Sequence, residues 1–379
     1  MDFELTGEQK MLQKTAYEFA VKEFEPLAKE CDREEKYPEK LLSKASEVGF
    51  IGCFFPEEYG GAEYGFFELA LITEQFCRVD MGLDTAIMSS TFGSENILFF
   101  GTKEQKTKYL PPIAEGRVIS AGAYTEPDAG TDVVGMQTTA VKDGNEYVIT
   151  GNKMFITNGT ICDFMVVLCV TNPEEKKPHK RLSLILVESD RKGVTANKIH
   201  GKMGIRASDT AEVVFDEVRV PCENLIGQEG RGFYQVMHFF DITRTRVAAQ
   251  GVGIAQGALE KVIKHVKQRH TFGRPISSNQ AIQFEIAEMA TKVELARTLT
   301  YRAAWMVDNN KTDMAINAMA KYFAAETAVF VCNKALQFHG GYGYIDEYDV
   351  QRFYRDAKIL EIYEGAKEAE KMTIASTLF

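Results

Sequence analysis

Asp143-Gly144-Asn145-Glu146-Tyr147-Val148-Ile149-Thr150-Gly151-Asn152 reads as a β-strand over residues 147–150 held between two turn signals. Three further runs have the same character: Phe164-Met165-Val166-Val167-Leu168, Leu182-Ser183-Leu184-Ile185-Leu186-Val187 and Glu212-Val213-Val214-Phe215. Together they define a β-rich unit from residue 120 to residue 220, about a hundred residues and an ordinary domain size. Its strands do not alternate with helical stretches, which argues against a Rossmann unit.

On both sides of that unit the pattern is helical. Thr6-Gly7-Glu8-Gln9 has the form of a capping box, and Leu12, Ala16, Phe19 and Ala20 follow at helical spacing. Pro56-Glu57-Glu58-Tyr59-Gly60-Gly61 breaks this region; helix resumes over 66–100, with Gly101 as a stop. After Gly232 helix lasts nearly to the end. Residues 248–258 are rich in Ala and Gly, which suits close helix packing, and Phe272-Gly273-Arg274-Pro275 interrupts the run. The reading is a mostly α chain with a central β domain, divided into residues 1–119, 120–229 and 230–379.

Composition narrows the function. A chain of 379 residues, 45% of them hydrophobic, can bury a large core. A net charge of −10 gives nucleic acid little purchase. The longest apolar runs, such as 164–170, are too short to span a bilayer. Met1-Asp2-Phe3-Glu4-Leu5 has neither the basic start nor the apolar middle of a signal peptide. The seven cysteines show no CxxC pair, so reduced thiols in a cytoplasmic protein are expected. The six histidines show no metal-binding pattern; His265 and His270 do not share a helical face.

The chemistry concentrates near the C-terminus, in Arg355-Asp356-Ala357-Lys358-Ile359-Leu360-Glu361-Ile362-Tyr363-Glu364-Gly365. Glu364 follows the apolar pair Leu360 and Ile362. A carboxylate in an apolar site is undersolvated, so its pKa rises and it becomes a better base near neutrality. Gly365 permits a sharp turn. The next residues read as a helix, whose free N–H groups could bind a carbonyl oxygen beside Glu364. A surface Glu in a helix connection is the plainer alternative.

Four other stretches stand out. Tyr124-Thr125-Glu126-Pro127-Asp128-Ala129-Gly130-Thr131-Asp132 puts hydroxyls, acids and a turn at the helix-to-β transition. Lys153-Met154-Phe155-Ile156-Thr157-Asn158-Gly159 places Phe155 and Thr157 on one side of a strand. That is a ring wall and a donor for a planar cofactor, or a plain edge strand. Gln337-Phe338-His339-Gly340-Gly341-Tyr342-Gly343-Tyr344 is a Gly-rich break that a phosphate could approach. Arg269-His270-Thr271-Phe272-Gly273 sets a cation beside a break, or is a solvated helix end.

In this order and over the whole chain, these motifs resemble the acyl-CoA dehydrogenase family of flavoproteins. The resemblance implies an N-terminal helical domain, a middle β-barrel domain and a C-terminal four-helix bundle, with FAD between the last two. It implies that Tyr124, Thr125, Gly130 and Thr131 flank the flavin. Phe155 would cover one face and Thr157 the ring edge. Arg269, Thr271, Phe272 and Gln280 would serve the FAD of a neighbouring subunit, and Gln337 and Gly341 would hold its tail. Thr131, Asp241 and Arg244 would meet the CoA part of the substrate, while Thr91 and Gly365 border the acyl group. Glu364 falls on the commonest base position, removing the α-proton while the β-hydride passes to flavin N5. The thioester carbonyl would be polarised by the backbone N–H of Glu364 and a flavin hydroxyl. Electrons would pass to an electron-transferring flavoprotein, and the assembly would be a homo-oligomer, a tetramer by preference.

Two departures qualify the resemblance. The family pattern Glu-Gly-Thr-Ser is here Glu364-Gly365-Ala366-Lys367, so at the FAD-tail positions Ala366 lacks a hydroxyl, with Lys367 and Glu368 following. Asp84 stands where glutaryl-CoA enzymes carry an Arg, and would repel a dicarboxylate. The acyl pocket wall is expected from residues 87–100 with Phe239 and Phe240, and a short, branched or cyclic acyl group fits those rings. An enoyl-CoA reductase on the same scaffold is one alternative, a catalytically silent CoA-binding relative another.

Overall fold

The computed structural model describes residues 4–379; Met1, Asp2 and Phe3 of the N-terminal reading lie outside the described residues. The first unit contains α1 (Gly7–Glu23), α2 (Glu25–Glu34), α3 (Glu39–Glu47), α4 (Phe66–Val79), α5 (Met81–Met88), α6 (Ser94–Phe100) and α7 (Lys103–Ala114). The capping box forms: Gln9 N donates to Thr6 Oγ1 while the Gln9 side chain accepts from Thr6 N. Phe19, Phe24, Phe50 and Phe76 meet edge-on and tilted in the core between α1 and α4.

The central unit is a mixed sheet built from β1 (Ser120–Ala123), β2 (Thr139–Asp143), β3 (Glu146–Thr157), β4 (Phe164–Val170), β5 (Leu182–Glu188), β6 (Val194–Lys198), β7 (Thr210–Pro221) and β8 (Leu225–Ile226). The strand path is β6-β7-β3-β2-β4-β5-β8, with β1 parallel to β4. Along that path β6 and β8 are the ends. β4 and β5 are covered on both faces, which is why their sequences read as unbroken apolar runs. Gly151-Asn152 is not a turn. It lies within β3 at a register shift between Ile149 and Gly151.

The last unit holds α8 (Gly232–Gln268), the ribbon β9 (His270–Thr271) and β10 (Arg274–Pro275), then α9 (Gln280–Asp308), α10 (Met314–His339), α11 (Val350–Ala357) and α12 (Lys367–Ser376). Three long helices with the shorter α11 and α12 make up this C-terminal helical unit. The small residues of α8 allow it to touch α4: a Cβ at Gly253 would sit 2.3 Å from Glu74 O, and one at Gly257 2.1 Å from Arg78 O. Asp308, ending α9, accepts from Phe66 N and Phe67 N at 2.7 and 2.8 Å and caps α4. Among the described residues no helix is long and apolar enough to cross a membrane.

Candidate active site

The chain leaves α11 through a short 3₁₀ turn over Lys358–Glu361 and reaches α12 by way of Glu364. Leu360 is buried but Ile362 is exposed, so the apolar pair expected around Glu364 is split. The carboxylate has a polar partner on α8. Thr243 Oγ1, from α8, donates to Glu364 Oε2 at 2.6 Å. Tyr363 OH donates to Gln250 Oε1 at 2.5 Å. Residues 243 and 250 lie two turns apart on one face of α8, so that helix holds both the carboxylate and the residue before it. Burial pushes the Glu364 carboxyl up; the Thr243 hydrogen bond and the charges of Arg246, Lys321 and Arg244 oppose but do not cancel it.

Glu364 has φ 51, a left-handed conformation that costs a residue with a Cβ on the order of 1–3 kcal/mol. Gly365 follows at φ 102, and a Cβ there would lie 1.9 Å from Glu370 Oε1. The turn therefore requires glycine on two grounds. Lys321 Nζ, fully buried, donates to Gly365 O, and burial brings the Lys321 ammonium down to about 8. Ala366 is the N-cap of α12. Lys367 pairs with Glu361 and Glu326 at 3.4 and 3.7 Å rather than facing an open site, and Glu368 is exposed.

Asp241 and Arg244 form a buried network with α12. Arg244 donates to Asp241 Oδ1 at 2.7 Å and to Glu370 Oε1 at 3.0 Å. Burial lifts Glu370 to about 7 and raises Asp241 as well. Glu370 lies one helical turn inside α12, 126 positions from Arg244, so no local pattern announces the pair.

The loop after β1 is held by a residue that motif reading passed over. Lys153, with no exposed surface, donates to Glu126 Oε1 at 2.8 Å and to Leu168 O at 2.7 Å. Glu126 also accepts from Gln137 N and Thr138 N. Burial works against the Glu126 charge, but Lys153 and the two N–H donors win and hold its pKa low. Burial draws the Lys153 pKa down. An isolated Lys in a strand of alternating burial was the available signal. Beyond this anchor, Thr125 O accepts from Met154 N at 2.9 Å, while Gly130 and Thr131 are exposed.

Phe155 stands beside that loop, 65% exposed, at φ 60. The register shift between Lys153 and Ile156 breaks the strand alternation, so the same-side argument for Phe155 and Thr157 fails locally. An open aromatic face next to a rigid loop nonetheless suits a planar ring. Farther off, Arg269, Thr271, His265, His339, Gly340 and Gly341 line a groove of about 420 Å³. A Cβ at Gly341 would meet nothing within 4 Å, so the backbone is open to approach there. Phe272 is fully exposed, and Gln280 and Gln337 are exposed too. A cation, rings and bare backbone fit the diphosphate and adenine of a dinucleotide. The structure separates these residues from Glu364: Arg269 lies 26 positions along α8 from Thr243, about 39 Å of helix.

The pocket wall divides. Phe92, Phe239 and Phe240 pack around buried Tyr124, whose OH accepts from Asn96 Nδ2 at 2.8 Å. Phe99 and Phe100 instead pack on His238. Thr91 is buried and donates to Met88 O at 3.3 Å. Asp84 is not the unpaired charge expected: Gln250 Nε2 donates to its Oδ2 at 2.9 Å, and Arg246, which the sequence reading missed, lies 3.9 Å away. Among the described residues no His, Cys, Asp and Glu cluster could hold a metal ion.

Glu95 is buried, accepts from Gly93 N at 2.9 Å, and burial pushes its carboxyl up to about 8. In the unfolded chain it titrates near 4.5. Between those values the folded protein holds a proton that the unfolded chain has released. Stability from this residue is therefore complete below about 4.5 and lost as pH rises through about 8. Glu95→Gln removes the titration. Relative to wild type it gains on the order of 2–4 kcal/mol at pH 8 and nothing at acid pH. Urea midpoints at several pH values check this; parallel profiles for the two proteins would contradict it.

Comparison with known proteins covers the chain. Family models described as the N-terminal, middle and C-terminal domains of acyl-CoA dehydrogenase match residues 6–117, 121–218 and 230–379. An acryloyl-CoA reductase (NADH) of Anaerotignum propionicum is 44% identical over 99% of this chain and 95% of its own. A structure concerning the electron transferring flavoprotein of Acidaminococcus fermentans and flavin-based electron bifurcation contains a chain with a TM-score of 0.97 and 43% identity, over 100% of both chains. Butyryl-CoA dehydrogenase from Megasphaera elsdenii superposes with a TM-score of 0.95 at 38% identity, again over 100% of both.

Proposed function

The chain belongs to the acyl-CoA dehydrogenase family, FAD-dependent oxidoreductases, and on that premise we propose that it dehydrogenates an acyl-CoA thioester between Cα and Cβ, with Glu364 as the base. The observation that carries this reading is the Glu364 turn: a carboxylate held in a strained left-handed conformation, clamped by Thr243, with its pKa raised by burial. Such a group accepts a proton more readily near neutrality than an exposed Glu does.

Each part of the chain has its task. Glu364 Oε takes the α-proton, and Thr243 keeps the carboxylate aimed. The backbone at Glu364 and Gly365 faces the thioester carbonyl. The loop at Tyr124–Thr131, with Phe155 and Thr157, would orient the isoalloxazine, and Tyr124, Phe92 and Phe239 would keep water from the acyl chain. FAD, when bound, supplies the acceptor for the β-hydride. The substrate is a short, branched or cyclic acyl-CoA, and the electron partner is an electron-transferring flavoprotein. Arg269, Thr271, Phe272, Gln280, Gln337 and Gly341 serve the FAD of a neighbouring subunit. The long separation along α8 supports this, as do exposed Phe284, Leu295 and Trp305 on α9, which suit a homotetramer. The seven unpaired thiols support a reducing, cytoplasmic setting.

The 44% identity to an acryloyl-CoA reductase favours a second reading, the reverse reaction on an enoyl-CoA. One preparation tests both. The protein should be yellow, release FAD on denaturation and sediment as a tetramer. Butyryl-CoA should bleach the flavin; reduced electron-transferring flavoprotein with an enoyl-CoA should drive the reverse. Well-folded protein that carries FMN, or no flavin, would sink the reading.

A further inference from the structure

Arg246 has no task in the chemistry assigned to Glu364, yet lies beside it. It stands three residues beyond Thr243, which holds Glu364, and four before Gln250, which holds Tyr363 and Asp84. All three share one face of α8. The Arg246 side chain is only 12% exposed. A guanidinium has five N–H donors. Here its contacts are sparse: Nη2 reaches Ser89 Oγ at 3.5 Å and lies 3.9 Å from Asp84 Oδ2, and Nε is buried without a partner.

The neighbours are incomplete in the complementary sense. Asp84 Oδ2 is taken by Gln250, but Asp84 Oδ1 is buried without a partner, as is the Ser90 hydroxyl. Buried polar groups without partners cost free energy that a bound group can recover. Three carboxyl groups, Asp84, Glu95 and Glu364, already surround this one guanidinium. An anionic acyl group would crowd the carboxyl groups of Asp84 and Glu364 at the same guanidinium. A hydroxyl behaves differently, since its oxygen accepts from Arg246 while its hydrogen goes to a carboxyl oxygen.

We propose that Arg246 binds a neutral oxygen on the acyl chain, a hydroxyl by preference, so that the substrate is an oxygenated short-chain acyl-CoA. The proposal rests on the acyl-CoA reading of the Glu364 site. Thr243 and Arg246 are about 5–6 Å apart on the helix face, the reach of a few carbon–carbon bonds. An oxygen a few carbon–carbon bonds from the reacting carbons, as at C4 of the acyl group, is the case the test takes. Such a contact makes Arg246 a specificity-determining residue.

The test compares three thioesters on the wild-type holoenzyme: 4-hydroxybutyryl-CoA, its apolar isostere pentanoyl-CoA, and glutaryl-CoA. Calorimetric affinity and single-turnover flavin bleaching are read for each. The hydroxyacyl thioester should exceed pentanoyl-CoA by about tenfold or more in bleaching rate over dissociation constant. Arg246→Leu and Arg246→Lys should each shrink that ratio, Leu by about tenfold. Equal handling of the two by wild type, or a Leu variant that keeps the ratio, overturns the Arg246 proposal and leaves the dehydrogenase reading standing. Preference for glutaryl-CoA overturns the choice of a neutral oxygen. Flavin that responds to none of the three, nor to butyryl-CoA or a branched or cyclic acyl-CoA, nor to reduced electron-transferring flavoprotein with an enoyl-CoA, overturns the acyl-CoA reading itself and the proposal with it.

Discussion

Glu364→Gln should slow flavin reduction by about a hundredfold to ten-thousandfold, while fold, flavin content and acyl-CoA affinity stay near wild type. The substitution is nearly isosteric, and the Gln carbonyl oxygen can still accept from Thr243 Oγ1, so the left-handed turn keeps its clamp. What is lost is the ability to take a proton. The acids nearby offer poor substitutes. Glu361 is tied to Lys358 and Lys367, Glu368 is exposed, and Asp241 is committed to Arg244. Glu95 is the chief rival, because it is buried and the Glu364 charge acts on it. At neutral pH, however, a carboxyl with a pKa of about 8 is mostly protonated and already a spent base. Single-turnover bleaching, with affinity measured separately, separates chemistry from binding. A loss of less than about tenfold with affinity intact would move the base to Glu95.

The second large effect is on stability. Lys153→Met should destabilise the protein by about 3–5 kcal/mol, because it strips the charge partner from Glu126 inside the sheet. Glu126 would keep its two backbone donors but not its counter-ion. The double variant Lys153→Met with Glu126→Gln should recover part of the loss, since no buried charge is then left alone. Urea denaturation of the three proteins measures this. A single-variant loss below about 1 kcal/mol would mean that water reaches Glu126 and the pair is not sealed. Because the pair anchors the loop that carries Tyr124 and Thr125, flavin should also be released at lower urea than in wild type.

The overall order of helices, sheet and helices was legible because its signals are local: apolar runs for β4 and β5, the Thr6–Gln9 box, the small residues of α8. β1 escaped notice because Ser120-Ala-Gly-Ala123 has no β-branched residue, and its strand character comes from pairing with β4. The bulges in β3 escaped because one inserted residue is set by the partner strand, not by composition. In the site, Glu364 and Gly365 could be found because the turn and its chemistry sit in adjacent residues. The Lys153–Glu126, Arg244–Glu370 and Arg246–Asp84 relations span 27, 126 and 162 positions, and no local pattern reports a partner so far away. Ile362 falls outside the expected apolar cradle of Glu364, while Leu360 is buried. Desolvation was foreseen correctly, but by what groups it is achieved depends on α8.

That helix also limits how the family's genes can drift. Along α8, Phe239, Thr243, Arg246 and Gln250 face the reacting side, while Gly253 and Gly257 lie against α4. An α-helix turns about 100° per residue. One codon gained or lost between positions 243 and 253 would swing the glycines away from α4 and drive larger side chains into Glu74 O and Arg78 O. Point substitutions can retune this face one residue at a time, but length cannot change without dismantling both contacts at once. Gene-length variation should therefore collect in segments such as the turn after β4, where residues 171–181 pair loosely at the surface, and be absent from the first two-thirds of α8.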